Sequence, residues 1–369
     1  MSKQQPTQSL TETLSLLKSL IQIPSTTLQE HAVALHLRSY LQSHNWHVHL
    51  QPLPSHPDRF NVLAWRGTPT DSLDSLTGRK FKVLMNSHID TVPPHIEYGE
   101  TETRVTGRGA CDAKGSVASQ IVAVEELIRE GRVAEEDVGL LYVASEETDH
   151  IGMIAASSLP ISTNYLIVGE PTELKLALGH KGVLKADIKV TGKAGHSGYP
   201  HVGRNAIDAL VDVLGALKSA PWPHDPRLGP TTLNFGSISG GVAANVIAAS
   251  ATADIAIRVS TSAAEVSSLL LSTVEKVKEG LQDGIAVEVS VRAAMDPVRC
   301  ETVDVEGVET FVAGYFTDIP YLKGDHKPLL YGPGSILVAH SKDEFVEKAD
   351  LEVAVGVYKQ IILGLVGRG

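Results

Sequence analysis

Three short runs in this chain are largely apolar, and each stops at a histidine or at acids. Phe81-Lys82-Val83-Leu84-Met85 leads into Asn86-Ser87-His88-Ile89-Asp90-Thr91-Val92-Pro93-Pro94. Val138 to Ala144 leads into Ser145-Glu146-Glu147-Thr148-Asp149, and Tyr165-Leu166-Ile167-Val168 into Gly169-Glu170-Pro171-Thr172. Runs of this length without polar alternation read as strands buried on both faces, which requires helices on both sides of a sheet. Open α/β sheets place their sites at the carboxyl ends of strands, where these polar residues fall. Side chains alternate with period two, so His88 and Asp90 share a face. Imidazole is the commonest metal ligand, and a nearby carboxylate can fix its tautomer. A lone His-x-Asp is more often a polar strand end; the recurrence over three strands gives it weight.

The segments between these runs complete an α/β pattern. Leu10, Leu14, Leu17 and Ile21 recur at helical spacing, and a second helix is predicted from Gln29 to Ser43. Trp46–Leu53 and Asn61–Arg66 read as strands, and 67–80 as a loop rich in Gly, Pro, Thr, Ser and Asp. Val105 to Ser116 contains Gly107-Arg108-Gly109-Ala110-Cys111-Asp112-Ala113-Lys114-Gly115 and opens an apolar helix running to Glu130. It is neither a dinucleotide fingerprint, since Asp112 stands where the third glycine belongs, nor a P-loop, since Lys114-Gly115-Ser116 inverts the required order. Asp112 could simply cap that helix. A short helix is predicted over 150–158.

After residue 178 the texture changes. Gly182–Thr191 alternates, with Lys185, Asp187 and Lys189 opposite Leu184, Ala186, Ile188 and Val190. Helices over 205–217 and 263–280 and strands over 231–238, 251–259 and 285–291 give the order β-α-β-β-α-β. That order predicts a ferredoxin-like α+β domain, a four-stranded antiparallel sheet with two helices, inserted into the first domain. The expected division is 1–178 and 294–369 for the catalytic domain and 179–293 for the insertion. Val305–Tyr315 reads as a helix, Leu329–Leu330 as the end of a strand before Tyr331-Gly332-Pro333-Gly334, and Glu344–Leu365 as a closing helix.

Bulk properties narrow the class. A net charge of −11 without a basic block argues against general nucleic-acid binding. Two cysteines, Cys111 and Cys300, cannot build a disulfide framework and fit a reducing compartment. The polar start Met1-Ser2-Lys3-Gln4-Gln5-Pro6 lacks the apolar core of a secretory signal, and there is no run long enough to span a membrane, so a cytoplasmic location is expected.

Taken together, Ser87–Pro93, Gly107–Gly115, Glu146-Glu147, Gly169-Glu170-Pro171 and Ala339-His340 resemble the dinuclear zinc amidohydrolases and exopeptidases. That family includes acetylornithine deacetylase, succinyl-diaminopimelate desuccinylase, aminoacylase and glutamate carboxypeptidase. The resemblance spans nearly the whole chain, including Gly195-His196-Ser197, Pro200, Gly203 and Asn205-Ala206 of the insertion. It implies an α/β, mixed-sheet zinc-exopeptidase domain holding two Zn2+ per subunit, with Co2+ or Mn2+ as possible substitutes. Asp112 would bridge the ions, His88 and Glu170 would complete one, and Glu147 and His340 the other. Asp90 would orient His88, and Glu146 would be the general base acting on a metal-bridging water. His196 would reach across a homodimer formed by the insertion, which also serves as a lid, to stabilise the oxyanion. Asn245 and Arg258 would hold the substrate carboxylate, and Gly334 would let backbone approach the substrate.

The implied activity is hydrolysis of the amide of an N-acyl-amino acid by an acetylornithine-deacetylase-like deacylase. The alternative is a carboxypeptidase or dipeptidase of the same family; the Asn86–Pro94 stretch resembles fungal carboxypeptidase-like members. A non-catalytic binding protein on this scaffold should have lost a ligand or the base, and all five ligands and Glu146 are present. On residue type alone, His196 reads as a surface loop histidine, Arg258 as a solvated strand residue, and His340 as one of 15 histidines. His44, His47, His49 and His56 read as exposed, and Cys111 as a packing residue. The chain also departs from the family in Asn86-Ser87, where glycine often precedes the metal-binding histidine.

Overall fold

A computed structural model describes residues 6–54, 56–67 and 72–367. Met1–Gln5 of the polar start and 68–71 of the expected loop lie outside them. In chain order the principal elements are α1 (Gln8–Ile21), α2 (His31–Ser43), β1 (His47–Leu53), β2 (His56–Trp65), β3 (Arg79–His88), α3 (Lys114–Arg129), β4 (Val138–Val143), α4 (Ile151–Ala156) and β5 (Ile161–Val168). There follow β6 (Gly182–Thr191), α5 (Ala206–Ser219), β7 (Thr232–Gly240), β8 (Ser250–Val259), α6 (Ala263–Lys278), β9 (Ala286–Met295), β10 (Lys327–Leu330) and α7 (Lys348–Val366). They form two compact units, one of Met1–Leu178, Cys300–Phe311 and Thr317–Gly369, the other of Gly179–Arg299 and Val312–Phe316. The chain re-enters the first unit at Cys300 rather than near 294, because β9 continues to Met295.

The first unit is built on a six-stranded mixed sheet ordered β1-β2-β4-β3-β5-β10. The four strands β4, β3, β5 and β10 run parallel, and the β1–β2 hairpin closes one edge antiparallel. Every residue of β4 is buried, as the lack of alternation predicts for a strand covered on both faces. From β3 the chain crosses to β4 on one side and later to β5 on the other. The carboxyl end of β3, where His88 lies, is therefore a topological switch point, the usual place for a ligand in an open α/β sheet. Helix α3 is buried along nearly its whole length against α1 and α7. Two of its buried side chains reach backbone carbonyls: Lys114 Nζ donates to those of Leu20 and Ile23 at 2.8 and 3.1 Å, and Gln120 Nε2 to that of Asn86 at 2.9 Å.

The second unit carries an antiparallel sheet ordered β7-β8-β6-β9, with α5 and α6 packed on one face. Leu184, Ala186, Ile188 and Val190 of β6 meet Leu210, Val213, Val266 and Leu270 of the helices, while Lys185 and Lys189 point to solvent. Asn205 and Ser262 cap the two helices by accepting the amides of Ile207 and Glu265. Among the described residues no helix is long and apolar enough to cross a membrane.

Several sequence expectations need correction. No helix covers Val305–Tyr315: Gly307 takes φ +77°, the Val308 amide closes a turn onto Val305, and Thr310–Ala313 is extended. The apolar residues there follow no helical face because the backbone pairs outward, the Glu309 carbonyl accepting the Leu176 amide at 2.9 Å. Within the 67–80 loop, Leu73–Leu76 form a 3-10 turn capped by Ser72, and β3 already starts at Arg79. Asp112 does not cap α3; the N-cap position is Ala113 and no side chain bonds there. His44, His47 and His49 are half-buried rather than exposed, and His44 packs its ring on Tyr40 and contacts Glu125 at 2.9 Å. Cys111 is fully buried, which fits the packing reading.

Candidate metal centre

The first unit gathers His88, Asp90, Asp112, Glu146, Glu147, Glu170 and His340 at the carboxyl ends of its parallel strands. His88 closes β3, Glu146-Glu147 follow β4, Glu170 follows β5, Asp112 precedes α3, and His340 comes from the turns after β10. The two oxygens of Asp112 face different histidines. Oδ1 lies 3.0 Å from His88 Nε2, and Oδ2 lies 3.2 Å from His340 Nε2. Each histidine has its own glutamate: Glu170 Oε1 is 3.8 Å from His88 Nε2, and Glu147 Oε2 is 2.9 Å from His340 Nε2. His88 and Asp112 are buried, while the His340 side chain is half-exposed and gives the centre its open side.

Asp90 organises this group from behind. It is fully buried and accepts the Glu146 amide on Oδ1 at 3.0 Å, and the Glu147 amide and Thr27 hydroxyl on Oδ2 at 3.3 and 2.8 Å. Its own carbonyl accepts a hydrogen bond from His88 Nδ1 at 2.9 Å, which leaves Nε2 to face the carboxylates. Burial by itself would raise the Asp90 carboxyl, but His88, Thr27 and the Glu146 amide outweigh it and hold it below its usual range.

The electrostatics fit a divalent cation pair. Burial, then Glu170, pushes the Glu146 carboxyl well above its ordinary value, and burial with neighbouring acids does the same to Glu170 and, less strongly, Glu147. Burial would lower His88, yet Glu170, Asp112 and Asp90 pull it well above its usual value. His340 rises to about 10 through its hydrogen bonds to Asp112 and Glu147. Glu147 Oε1 is buried with no hydrogen-bond partner, an unanswered acceptor. Mixed imidazole and carboxylate donors suit first-row divalent metals, zinc among them. His88, Asp112 and Glu170 would hold one ion, and His340, Asp112 and Glu147 the other.

The three expected residues of the insertion belong to the second unit, and all are exposed. His196 and Asn245 are neighbours: Gly195–His196 pairs with Val246–Ile247, and the Ser197 amide donates to the Asn245 carbonyl at 3.1 Å. Arg258 stands apart on β8, opposite Thr232 and Val183. Gly334, in the first unit, has φ +80°, and a Cβ there would meet Cys111 Cβ at 2.5 Å. Close packing of the two loops is thus reason enough for a glycine.

Some participants were not read from the sequence. Glu344, buried, accepts Arg108 Nη1 at 2.7 Å and the amides of Gly109, Cys111 and Asp112 at 3.0 to 3.3 Å, so one carboxylate shapes the loop that presents Asp112. Buried Arg59 makes a fork to Glu30 at 2.7 and 2.6 Å and reaches Ser145 Oγ, just before Glu146. Ser145 itself sits at φ +67°. His150 and Asp318 also approach Glu146. These residues carry no spacing signal, because their partners lie dozens to hundreds of positions away. A weak clue was available for His150 alone, four residues after Glu146.

Known proteins share this sequence and this fold. The profile of a peptidase dimerisation domain matches residues 178–283. A peptidase M20 domain-containing protein of Sordaria macrospora is 41% identical, covering 96% of this chain and 85% of the relative. A probable carboxypeptidase of Aspergillus niger is 38% identical over 96% of this chain and 90% of its own length. Among solved structures, a Staphylococcus aureus tripeptidase shares the fold with a TM-score of 0.78 at 19% identity, covering 98% of this chain and 99% of that one. A Bacillus subtilis M20 peptidase described as dinuclear metal binding has a TM-score of 0.68 at 14% identity, with 97% and 98% covered. With sequence identity of this extent along almost its entire length, the chain belongs to the M20 family of peptidases.

Proposed function

We propose that this protein is a two-metal exopeptidase that hydrolyses the peptide bond beside a free carboxylate in a short peptide, as a carboxypeptidase or dipeptidase. The observation that carries the reading is Asp112, whose two oxygens face two histidines, each backed by its own glutamate. Two divalent ions there, zinc by preference with cobalt or manganese as substitutes, would polarise the scissile carbonyl and lower the pKa of water. Glu146 takes a proton from the attacking water onto its carboxylate and passes it to the leaving nitrogen. Asp90 aims base and ligand together, since it anchors both peptide amides. His196 is assigned to the oxyanion, acting across a homodimer, and Arg258 with Asn245 to the substrate carboxylate.

The carboxypeptidase name of the Aspergillus niger relative favours a peptide substrate over the N-acyl-amino acid expected from sequence. Deacylation is the second reading, supported by the likeness to acetylornithine deacetylase: an N-acyl-amino acid presents the same amide beside the same carboxylate. Homodimerisation through the second unit is supported by the profile match and by exposed apolar residues, Ile207 and Val211 on α5 and Ile238 on the edge strand β7.

The test is amine release from dipeptides, N-blocked dipeptides and N-acetyl amino acids, with zinc-replete and chelated protein side by side. Chelator-sensitive cleavage of peptides is expected. Glu146→Gln should keep both metals and lose about 10²- to 10⁴-fold in kcat. Turnover that survives chelation, or a fully active Glu146→Gln, would sink the mechanism; cleavage of N-acetyl amino acids alone would move the protein to the deacylases. Sedimentation of the same preparation checks the dimer.

A further inference from the structure

A second group of side chains able to ligate a metal meets at Glu146. His150 Nδ1 is 2.8 Å from Asp318 Oδ1, and the imidazole is stacked on Tyr321 with centroids 4.6 Å apart and planes 20° from parallel. Asp318 is buried, whereas Glu146 and His150 are partly exposed. One ligand atom from each of Glu146, His150 and Asp318 lies within 4.8 Å of the others. Donors sharing a zinc at about 2.0–2.2 Å sit roughly 3–3.5 Å apart, so small side-chain rotations would close the set. Charge favours the same outcome. Two divalent ions carry four positive charges against the six carboxylates of Asp90, Asp112, Glu146, Glu147, Glu170 and Asp318. The two that hold neither ion nor the ligand amides are Glu146 and Asp318.

We propose that Glu146, His150 and Asp318 form a further cation site, distinct from the two-ion centre, that takes Zn2+ or another imidazole-binding metal and inhibits when filled. One imidazole with two carboxylates selects such an ion over Mg2+ or Ca2+, which prefer oxygen alone. The inference rests on the reading of Glu146 as general base. An ion on its carboxylate occupies the oxygens that must accept the proton, so turnover falls although the two-ion centre stays filled. The stacked Tyr321 holds the His150 ring plane, so the imidazole needs little reordering to ligate.

The experiment dialyses the full-length protein against buffered Zn2+ at rising free concentration, then counts bound metal and measures peptide hydrolysis in the same samples. Two ions should bind tightly with full activity. A third should bind more weakly, with activity falling as it fills. His150→Asn, chosen because asparagine tolerates the left-handed backbone at φ +57°, should keep two tight ions, and its inhibition is read relative to its own rate with two ions bound. Its third-ion affinity and its zinc inhibition should both weaken at least about tenfold. Cobalt titration of the unaltered protein needs no variant: a third equivalent should add its own visible absorption. A count that stops at two, or inhibition unchanged in His150→Asn, overturns the further site alone. Failure to bind two tight ions, or to hydrolyse any peptide, overturns the peptidase reading with it.

Discussion

Replacing Asp90 by Asn tests how far one buried carboxylate governs this centre. The aspartate accepts the Glu146 amide on one oxygen and the Glu147 amide and Thr27 hydroxyl on the other. Asparagine keeps a single acceptor oxygen, so one of the two amides must face an NH2 group. A buried donor left unsatisfied costs about 1–3 kcal/mol. The functional loss should be larger, because the residues displaced are the proposed base and a proposed ligand. A shift of about 1 Å in a reacting group costs on the order of a hundredfold in rate, and loss of a supporting partner about 10- to 100-fold in metal affinity. Thr27→Val is the matched control: it removes one hydroxyl donor from the same carboxylate, costs about 1 kcal/mol, and leaves both amides anchored. The assay is kcat and KM on a cleaved dipeptide at saturating zinc, with thermal melts of both variants. Equal losses in Asp90→Asn and Thr27→Val would refute the argument, since they would show that the amide anchors carry no catalytic weight. Because the Asp90 pKa is depressed, its stabilising contribution is present above the ordinary value of 3.8. It is lost as pH falls through the lower folded value.

Glu344→Gln should strand buried Arg108 without its counter-charge, at about 3–5 kcal/mol; unchanged melting would contradict that role. The same variant should weaken metal binding measured by competition with a chelating dye, because glutamine's single acceptor oxygen cannot serve both Arg108 and the amides of the loop bearing Asp112. In metal-free protein His340 is raised from 6.5 to about 10, so its contribution to stability is full below pH 6.5 and is lost as pH rises through about 10. An ion must displace that proton, so zinc affinity should climb over this interval and binding at pH 7 should release protons, read by calorimetry in two buffers. Arg258→Met should raise KM for substrates with a free carboxylate by about ten- to a hundredfold and leave amidated analogues nearly unchanged; equal effects on both would remove the carboxylate role.

The sheet and its functional edge were legible because their signals are local. Unbroken apolar runs such as Val138–Val143 mark strands covered on both faces, and a polar residue ending such a run is placed at the sheet's edge by chain geometry alone. Alternation along Gly182–Thr191 likewise exposed the wet face of the second sheet. The apparent helix at Val305–Tyr315 failed because its apolar residues were counted without regard to Gly307, whose left-handed backbone ends any helix there. His340 could be selected only by motif order, since one histidine among 15 carries no spacing signal of its own.

What the sequence determined by itself is which residues can ligate and at which strand ends they stand, because side-chain alternation and burial are properties of neighbours in the chain. Only the tertiary structure decided that Asp112 turns its two oxygens to two histidines, that Glu344 gathers the amides of the Asp112 loop, and that Asp318 and His150 meet at Glu146. Those contacts join residues up to hundreds of positions apart. Hydrogen bonds and ion pairs depend on distances of a few ångströms, which packing of the sheet and helices sets and local sequence does not encode.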